Sequence, residues 1–431
     1  MGRVAGESAA ARMLRKIRHR RVSRMTPPAN ISRRRVVITG MGAVSAAGVG
    51  AQALWAAARD GVSCIRPLKL ARPYPGRIKI AAQVPDFDPA AHIEPEILPY
   101  CDPFTQFSIV AADEALAQAG FARKEVGGPR TAVVIGTGIG GAKTIDDTSY
   151  VEYAEGGRPD TLAVPRLIPS AAPTTLGMRY GAKGPTFALA SACSSATQAI
   201  GEAFEMLRAG RADRAIAGGS EACVTNGSIR AWEALRVLTP DLCRPFSTKR
   251  NGMTLGEGAA VFILETLESA VSRGATPLCE LAGYGTTSDA FDPLRADVEG
   301  PARCMRLALE SAGLEPGDVD YLNAHGTATY ANDITESEAM RAVFGDRPPP
   351  VSSTKPIHGH ALGASGGLEL SVVINALREQ IAPPTINFIE PDPKCQVDAI
   401  PNQARKMPIR VALSNSFAFG GINATLVVKA L

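Results

Sequence analysis

No uninterrupted apolar run in this 431-residue chain approaches the length needed to span a bilayer, roughly 20 residues. None reads as a secretory signal core either. The eight cysteines (Cys64, Cys101, Cys193, Cys223, Cys243, Cys279, Cys304 and Cys395) are scattered and include no C-x-x-C pair. That distribution excludes the usual zinc and disulfide frameworks and fits a reducing compartment. Aromatic residues make up only 5% of the chain, whereas glycine and alanine are abundant. Such a balance suits thin, closely packed α/β layers joined by many turns.

Acidic residues are nearly missing from the first 24 positions. Arg3, Arg12, Arg15, Lys16, Arg18, Arg20, Arg21 and Arg24 stand there against Glu7 alone, and the remainder of the chain is slightly acidic. Three readings fit the segment: a disordered basic tail, a polyanion-binding or organellar targeting segment, or a start placed too early. Met25 begins a plausible shorter protein, and Pro27-Pro28 reads as a linker. An idle tail or early start is the simpler reading, so no nucleic-acid role is assigned.

The folded part begins with the β-rich run 35–40. Similar runs recur at 131–136, 214–219, 260–264, 319–323 and 409–414, several of them apolar throughout, as strands covered on both faces are. Helical periodicity lies between them over 104–118, 301–311 and 367–380, so the class is α/β with an interior sheet. The order also echoes itself. A strand ending near Gly136 is followed by a turn with Cys193 and a helix; a strand ending near His325 is followed by the turn His358-Gly359-His360 and another helix. A duplicated unit with one site between its copies accounts for that echo.

Cys193 occupies the turn between the apolar run 186–189 and a helix marked by Ala196, Ala199, Ile200, Ala203, Phe204 and Leu207. Unpaired backbone N–H groups and the helix dipole at such a start favour thiolate over thiol, so the expectation is an acidified nucleophile. His325 sits where a strand ends, before Gly326 and the hydroxyls of Thr327 and Thr329. Two imidazoles, Lys355 and four glycines crowd 352–367. The H-x-H pair lacks an accompanying acidic or cysteine ligand and makes a poor zinc signature, so no metal is expected.

Taken in order, Ala-Cys-Ser-Ser at Cys193, Ala-His-Gly-Thr at His325, Gly-His-x-Leu-Gly-Ala at His360 and Asn-Ser-Phe-Ala-Phe-Gly-Gly at 415–421 carry a resemblance. Over residues 35–431 the chain resembles the β-ketoacyl-acyl-carrier-protein synthases of the elongating type, with one cysteine and two histidines. The resemblance implies the thiolase fold, two α/β halves stacking five-stranded sheets in an α-β-α-β-α sandwich, and a homodimer. The division expected is 1–34 as a basic, disordered extension, 35–274 as the half with the nucleophile, and 275–431 as the half with both histidines. It implies acyl transfer to Cys193 from acyl carrier protein, decarboxylation of malonyl-carrier with the enolate held by His325 and His360, and carbon–carbon bond formation. No separate cofactor is implied beyond the carrier's own phosphopantetheine.

By the same resemblance, the backbone N–H groups of Cys193 and Phe419 form an oxyanion hole. Lys355, Glu369, Asp333 and Glu336 hold the site together without moving protons. Thr327 and Thr329 bind the pantetheine arm, Phe419 is an aromatic gate, Phe417 a wall residue, and His358 has no catalytic role. A thiolase acting on acyl-CoA would carry a second cysteine in the C-terminal loop, where this chain has Phe417-Ala418-Phe419. A chain-length-factor subunit would lack the nucleophile. The run 229–238 looks more like the nodulation-protein-E branch than the housekeeping synthases, with a cytoplasmic location and peripheral attachment to the inner membrane as the corresponding expectation. Arg72, Arg77 and Lys79 are the candidates for a basic patch that steers an acidic carrier.

Overall fold

The computed structural model describes residues 34–431 apart from Leu294 and Ala296. The expectations for the basic first segment therefore lie outside the described residues.

Among the described residues the main sheet has eleven strands, ten of them in one continuous path: β1 (Val36–Ser45), β2 (Thr131–Gly136), β3 (Thr186–Leu189), β4 (Arg214–Glu221), β5 (Gly258–Thr266), β6 (Cys279–Ser288), β7 (Tyr321–Asn323), β8 (Val351–Ser352), β9 (Val411–Ala418) and β10 (Ile422–Lys429); the eleventh, Gly48–Val49, pairs only with the end of β1. The helices that matter for the site and its support are α1 (Pro103–Gln118), α2 (Ser195–Arg208), α3 (Asn226–Ala234), α4 (Glu299–Ala312), α5 (Tyr330–Phe344) and α6 (Ser365–Glu379).

The strand order is β8-β7-β9-β10-β6-β1-β5-β4-β2-β3, and it contains the duplication. Read outward from the middle, the first half runs β1-β5-β4-β2-β3 and the second runs β6-β10-β9-β7-β8. Each is the first, fifth, fourth, second and third strand of its half. Directions repeat as well: β1–β5 and β5–β4 are antiparallel, β4–β2 and β2–β3 parallel. The pairs β6–β10, β10–β9, β9–β7 and β7–β8 follow the same scheme. Val36–Ile38 of β1 pair with Cys279–Leu281 of β6 and join the two sheets at one end.

Helices α2 and α6 contact each other and strands of both halves, so they form the middle layer. Helix α1 covers the outer face of the first half, and α4 that of the second. Burial explains the assignment. Every residue of α6 from Ser365 to Leu377 is buried, as a helix enclosed on all sides requires. Three separate apolar clusters follow from the layers: one around α2 and α6, one under α1, and one under α4 and α5.

The periodic reading placed α1, α4 and α6 within two residues of their observed ends, but it named neither β6 nor β10. The interior of β6 carries Gly283 and Gly285, which break a β pattern. Both are demanded by close approach: a Cβ would lie 2.3 Å from the carbonyl of Ala308 at the first, and 2.3 Å from that of Cys304 at the second. Helix α4 thus lies directly on the strand's backbone.

Candidate active site

The turn that carries Cys193 is built under strain. Ala192 has φ 49°, a left-handed conformation that costs a non-glycine residue of order 1 kcal/mol. It starts a single 3₁₀ turn, Ala192–Ser194, that runs into α2. Hydrogen bonds hold the turn from both halves. The Ser191 N–H donates to Ser195 Oγ at 2.9 Å, while Ser194 Oγ lies 2.8 Å from the Ile422 carbonyl and 3.0 Å from that of Ser416. Gly136, the last residue of β2, has to be glycine, because a Cβ would sit 2.3 Å from the Ser195 carbonyl.

The two histidines arrive from the second half on differently anchored loops. Glu336 of α5 accepts the N–H of His325 and of Gly326, each at 2.8 Å. Asp333, one turn earlier, accepts from Ala328 and from Phe246 at 3.2 and 2.8 Å. These two carboxylates therefore clamp the 325–328 loop by its backbone. His360 donates its own N–H to the Thr254 carbonyl at 2.7 Å, and its Nδ1 lies 2.8 Å from Ser365 Oγ at the start of α6.

Three side chains then meet. His360 Nε2 is 3.1 Å from Cys193 Sγ, the His325 and His360 rings stand edge-on with centroids 5.4 Å apart, and one ligand atom from each of the three lies within 4.8 Å of the others. Lys355, fully buried, reaches Glu369, the His325 carbonyl at 2.5 Å and His325 Nδ1 at 3.4 Å. An ammonium has only hydrogens to offer, so Nδ1 accepts and the ring hydrogen of His325 stays on Nε2, facing the thiol. A metal ion could bridge such a spacing, but the Lys355 charge and a thiol that keeps its proton oppose a dication.

Burial decides the protonation states. It pushes the Cys193 thiol up to about 12, aided by the charges of Glu221 and Glu369 and opposed by Lys355. This is the reverse of the acidified thiol expected from the helix start. Desolvation is the largest cause, and the resting pair is a neutral thiol beside a neutral imidazole. Burial, with the Lys355 charge behind it, holds His325 and His360 well below the ordinary histidine value. Both rings thus offer hydrogen bonds without carrying charge at neutral pH.

These groups line one cavity of about 270 Å³, together with Thr327, Thr329, Phe417 and Phe419. The two threonine hydroxyls are 2.9 Å apart. Phe417 is buried with its ring centroid 6.1 Å from that of His325. Phe419, in the turn just after β9, is 37% exposed at the mouth.

His358 points elsewhere: its Nε2 lies 2.9 Å from Thr354 Oγ1, and burial pulls its pKa down to about 3. A ring whose folded pKa lies below the unfolded value contributes stability that is full above pH ~6.5 and lost as pH falls toward 3. His358→Asn is expected to shift the acid-unfolding midpoint to lower pH, read by circular dichroism during an acid titration. An unchanged midpoint would remove His358 from the acid-sensitive groups.

The sequence reading gave Glu221 no task. Its buried carboxylate accepts from Gly138 at 2.5 Å, Ile139 at 3.3 Å and Gly363 at 3.0 Å, tying a loop of the first half to the turn after His360. Trp232, which also lines the cavity, carried no polar signal that could have marked it. Arg72 needs correcting as a steering residue. It is paired with Asp146 and Asp147 and lies over the Tyr150 ring, where it fastens the 68–84 segment to the helix Ala142–Glu155.

Two copies of one α/β unit in five layers, with a cysteine and two histidines meeting at their junction, make up the thiolase fold of acyl-transferring condensing enzymes. The chain matches the family descriptions "Beta-ketoacyl synthase, N-terminal domain" over residues 33–270 and "Beta-ketoacyl synthase, C-terminal domain" over 278–389. It is 43% identical to nodulation protein E of Rhizobium sp. (strain N33) over 399 residues, covering 92% of this chain and 99% of the relative. It is 40% identical to 3-oxoacyl-[acyl-carrier-protein] synthase 2 of Staphylococcus aureus (strain COL), covering 92% and 98%. Among solved structures it is similar to AntDE:AntF, a type II polyketide-synthase acyl-carrier protein in complex with its ketosynthase bound to the hexaketide. That likeness has a TM-score of 0.85 and 32% identity over 92% of this chain and 100% of that one. The chain belongs to the β-ketoacyl synthase family, whose members are condensing acyltransferases.

Proposed function

We propose that this protein elongates a carrier-bound acyl chain by decarboxylative condensation, with Cys193, His325 and His360 as its catalytic groups. The observation that carries the reading is the meeting of these three side chains within 4.8 Å, with Lys355 fixing the hydrogen of His325 toward the thiol. Cys193 Sγ attacks the acyl-carrier thioester, and the carrier thiol leaves with the proton. Malonyl-carrier then enters and loses CO₂. The enolate oxygen takes hydrogen bonds from Nε2–H of His325 and of His360, the latter set by Ser365 donating to Nδ1. The enolate carbon attacks the Cys193 thioester, and the tetrahedral oxyanion rests on the backbone N–H groups of Cys193 and Phe419. Collapse expels the Cys193 thiolate, which regains one proton from solvent, and releases the β-ketoacyl-carrier.

The high thiol pKa suits this cycle: Cys193 gives up its proton during attack rather than standing as a thiolate. Decarboxylation drives the condensation, so the phosphopantetheine of the carrier is the one prosthetic group required. Lys355, Glu369, Asp333 and Glu336 act through position and charge: Asp333 and Glu336 hold backbone, Lys355 holds His325, and Glu369 holds Lys355. Thr327 and Thr329 stand beside His325 in the cavity wall, where a pantetheine amide would pass. We place the boundary between the halves at 274/275, within the short connection from β5 to β6.

For the carrier, the steering surface centres on Arg77, which is 81% exposed at its side chain, with Arg230 and Arg236 around the same depression. Lys79 lies beside it, exposed above the Tyr74 ring. Homodimer formation has support at the other end of the sheet. β3 is an edge strand with half-buried residues, and Tyr153, Val164 and Met178 are 83%, 64% and 76% exposed in the segment that leads to it. An apolar surface next to an unpaired edge calls for a cover, and a second copy pairing along β3 supplies one. Among the described residues no helix is long and apolar enough to cross a membrane; a cytoplasmic location is the one that goes with carrier-bound substrates.

The test is intact-mass analysis after incubation with acyl-carriers of graded length and unsaturation, followed by peptide mapping. One acyl adduct on Cys193 supports the reading and gives the chain preference, whereas an adduct elsewhere, or none, overturns it. A second expected outcome separates the two half-reactions. His325→Asn keeps acyl transfer to Cys193 but slows release of labelled CO₂ from malonyl-carrier by about 10²–10³-fold, the usual cost of one lost oxyanion donor.

A further inference from the structure

We propose that Trp232 is a positioning residue that latches the Phe419 ring over the Cys193 cavity, so that access to the thiol is set by one aromatic stack. The two rings lie parallel within 24° with centroids 5.9 Å apart, and both line the cavity that holds Cys193. Their supports differ sharply in stiffness. Trp232 stands on α3, which is fastened at both ends. Asn226 donates to the Arg72 carbonyl at 3.0 Å and Gly227 to Asp146 at 2.9 Å; Glu233 accepts from the Tyr74 hydroxyl and from the Arg77 N–H at 2.7 Å.

Phe419 is followed by Gly420 and Gly421 at φ 81° and 68°, conformations closed to most residues, and backbone bonds hold this turn, from Gly420 to the Pro293 carbonyl at 3.0 Å and from Gly421 to that of Ala418 at 3.1 Å. Its ring is more than a third exposed, and Trp232 is the one aromatic partner it has among the described residues. A ring on a glycine turn laid on a ring carried by a side-chain-anchored helix is a closed state with a defined contact to break. Helix α3 and the residues just after it also carry Arg230 and Arg236, neither of them in an ion pair among the described residues, so the latch stands directly below the exposed basic depression. The inference rests on the condensing-enzyme reading for its purpose, but not for its test.

Iodoacetamide alkylation of Cys193 at one fixed pH, followed by peptide mass spectrometry, reads access to Sγ together with its thiolate fraction, and reports the latch even if the condensing chemistry were absent. Offset aromatic pairs are worth enough to change an open-to-closed ratio about two- to tenfold. Trp232→Ala is therefore expected to speed alkylation by about that factor, while Trp232→Phe, which can still stack, stays near the parent rate. In a Phe419→Ala background, Trp232→Ala should add nothing, because the latch has lost its ring. Trp232 emission gives an independent reading, since the second tryptophan, Trp55, is 1% exposed in the core. Phe419→Ala should shift that emission, and a core tryptophan would not follow. An alkylation rate unchanged by Trp232→Ala, or raised equally with and without Phe419, overturns the proposal.

Discussion

Cys193→Ala protein incubated with acyl-carrier acquires no acyl adduct at any residue, and its condensation rate falls by about 10⁴-fold or more. The expectation is this severe because nothing nearby can take over. The other thiol in the apolar cluster around Cys193 is placed for packing: Cys223 is fully buried, directs its sulfur at the Gly256 carbonyl at 3.4 Å, and is held well above the ordinary thiol value by burial. Ser194 and Ser195 already use their hydroxyls to hold the turn. Without the thiol, malonyl-carrier can still lose CO₂, because the enolate donors are His325 and His360. The measurement is intact mass together with product assay on the same sample. An adduct on Cys193→Ala protein, or condensation within tenfold of the parent, would sink the nucleophile assignment.

The second large effect comes from Lys355→Met. Lys355 and Glu369 are a fully buried ion pair, and losing one partner strands the other, which typically costs about 3–5 kcal/mol. Glu369 has a way to limit that cost. Burial already pushes its carboxyl up to about 7, and removal of the Lys355 charge pushes it further, so the stranded group takes up a proton. The sign follows from linkage. A carboxyl with a folded pKa above its unfolded value makes stability fall as pH rises through the folded value. Lys355→Met protein is thus expected to be markedly less stable at pH 8 than at pH 6 in urea unfolding. The double variant Lys355→Met/Glu369→Met should recover most of the loss. Equal loss at both pH values would mean that the stranded carboxylate is not the cause. The same variant should slow decarboxylation, since the His325 hydrogen is no longer directed to Nε2.

Much of this was legible without coordinates because its signals are local. A glycine-rich turn before a periodic apolar run marks a helix start whatever the chain does elsewhere, and Cys193, His325 and His360 all lie at such punctuation. The alternation of strands and helices, and even the echo between halves, follows from composition spaced along one dimension. Lys355, Glu369, Asp333 and Glu336 could be named from the resemblance; the structure gives Lys355, Asp333 and Glu336 bonds to His325 or to the backbone of the 325–328 loop, and Glu369 the task of pairing with Lys355.

Three things were decided only by the fold. Strand β6 escaped notice because Gly283 and Gly285 answer to a helix packed against the backbone, a neighbour that no local pattern records. Arg72 looked like free charge until Asp146, Asp147 and Tyr150 closed on it from another element. The protonation of Cys193 reversed, because a helix start is visible in the chain whereas the desolvation that overrides it is the sum of both halves closing on one point. The sequence by itself thus determined which residues stand as candidates for the chemistry and in what order they occur. Tertiary structure decided their charge, their hydrogen positions and the aromatic pair above them, because those depend on atoms far apart in the chain and adjacent in space.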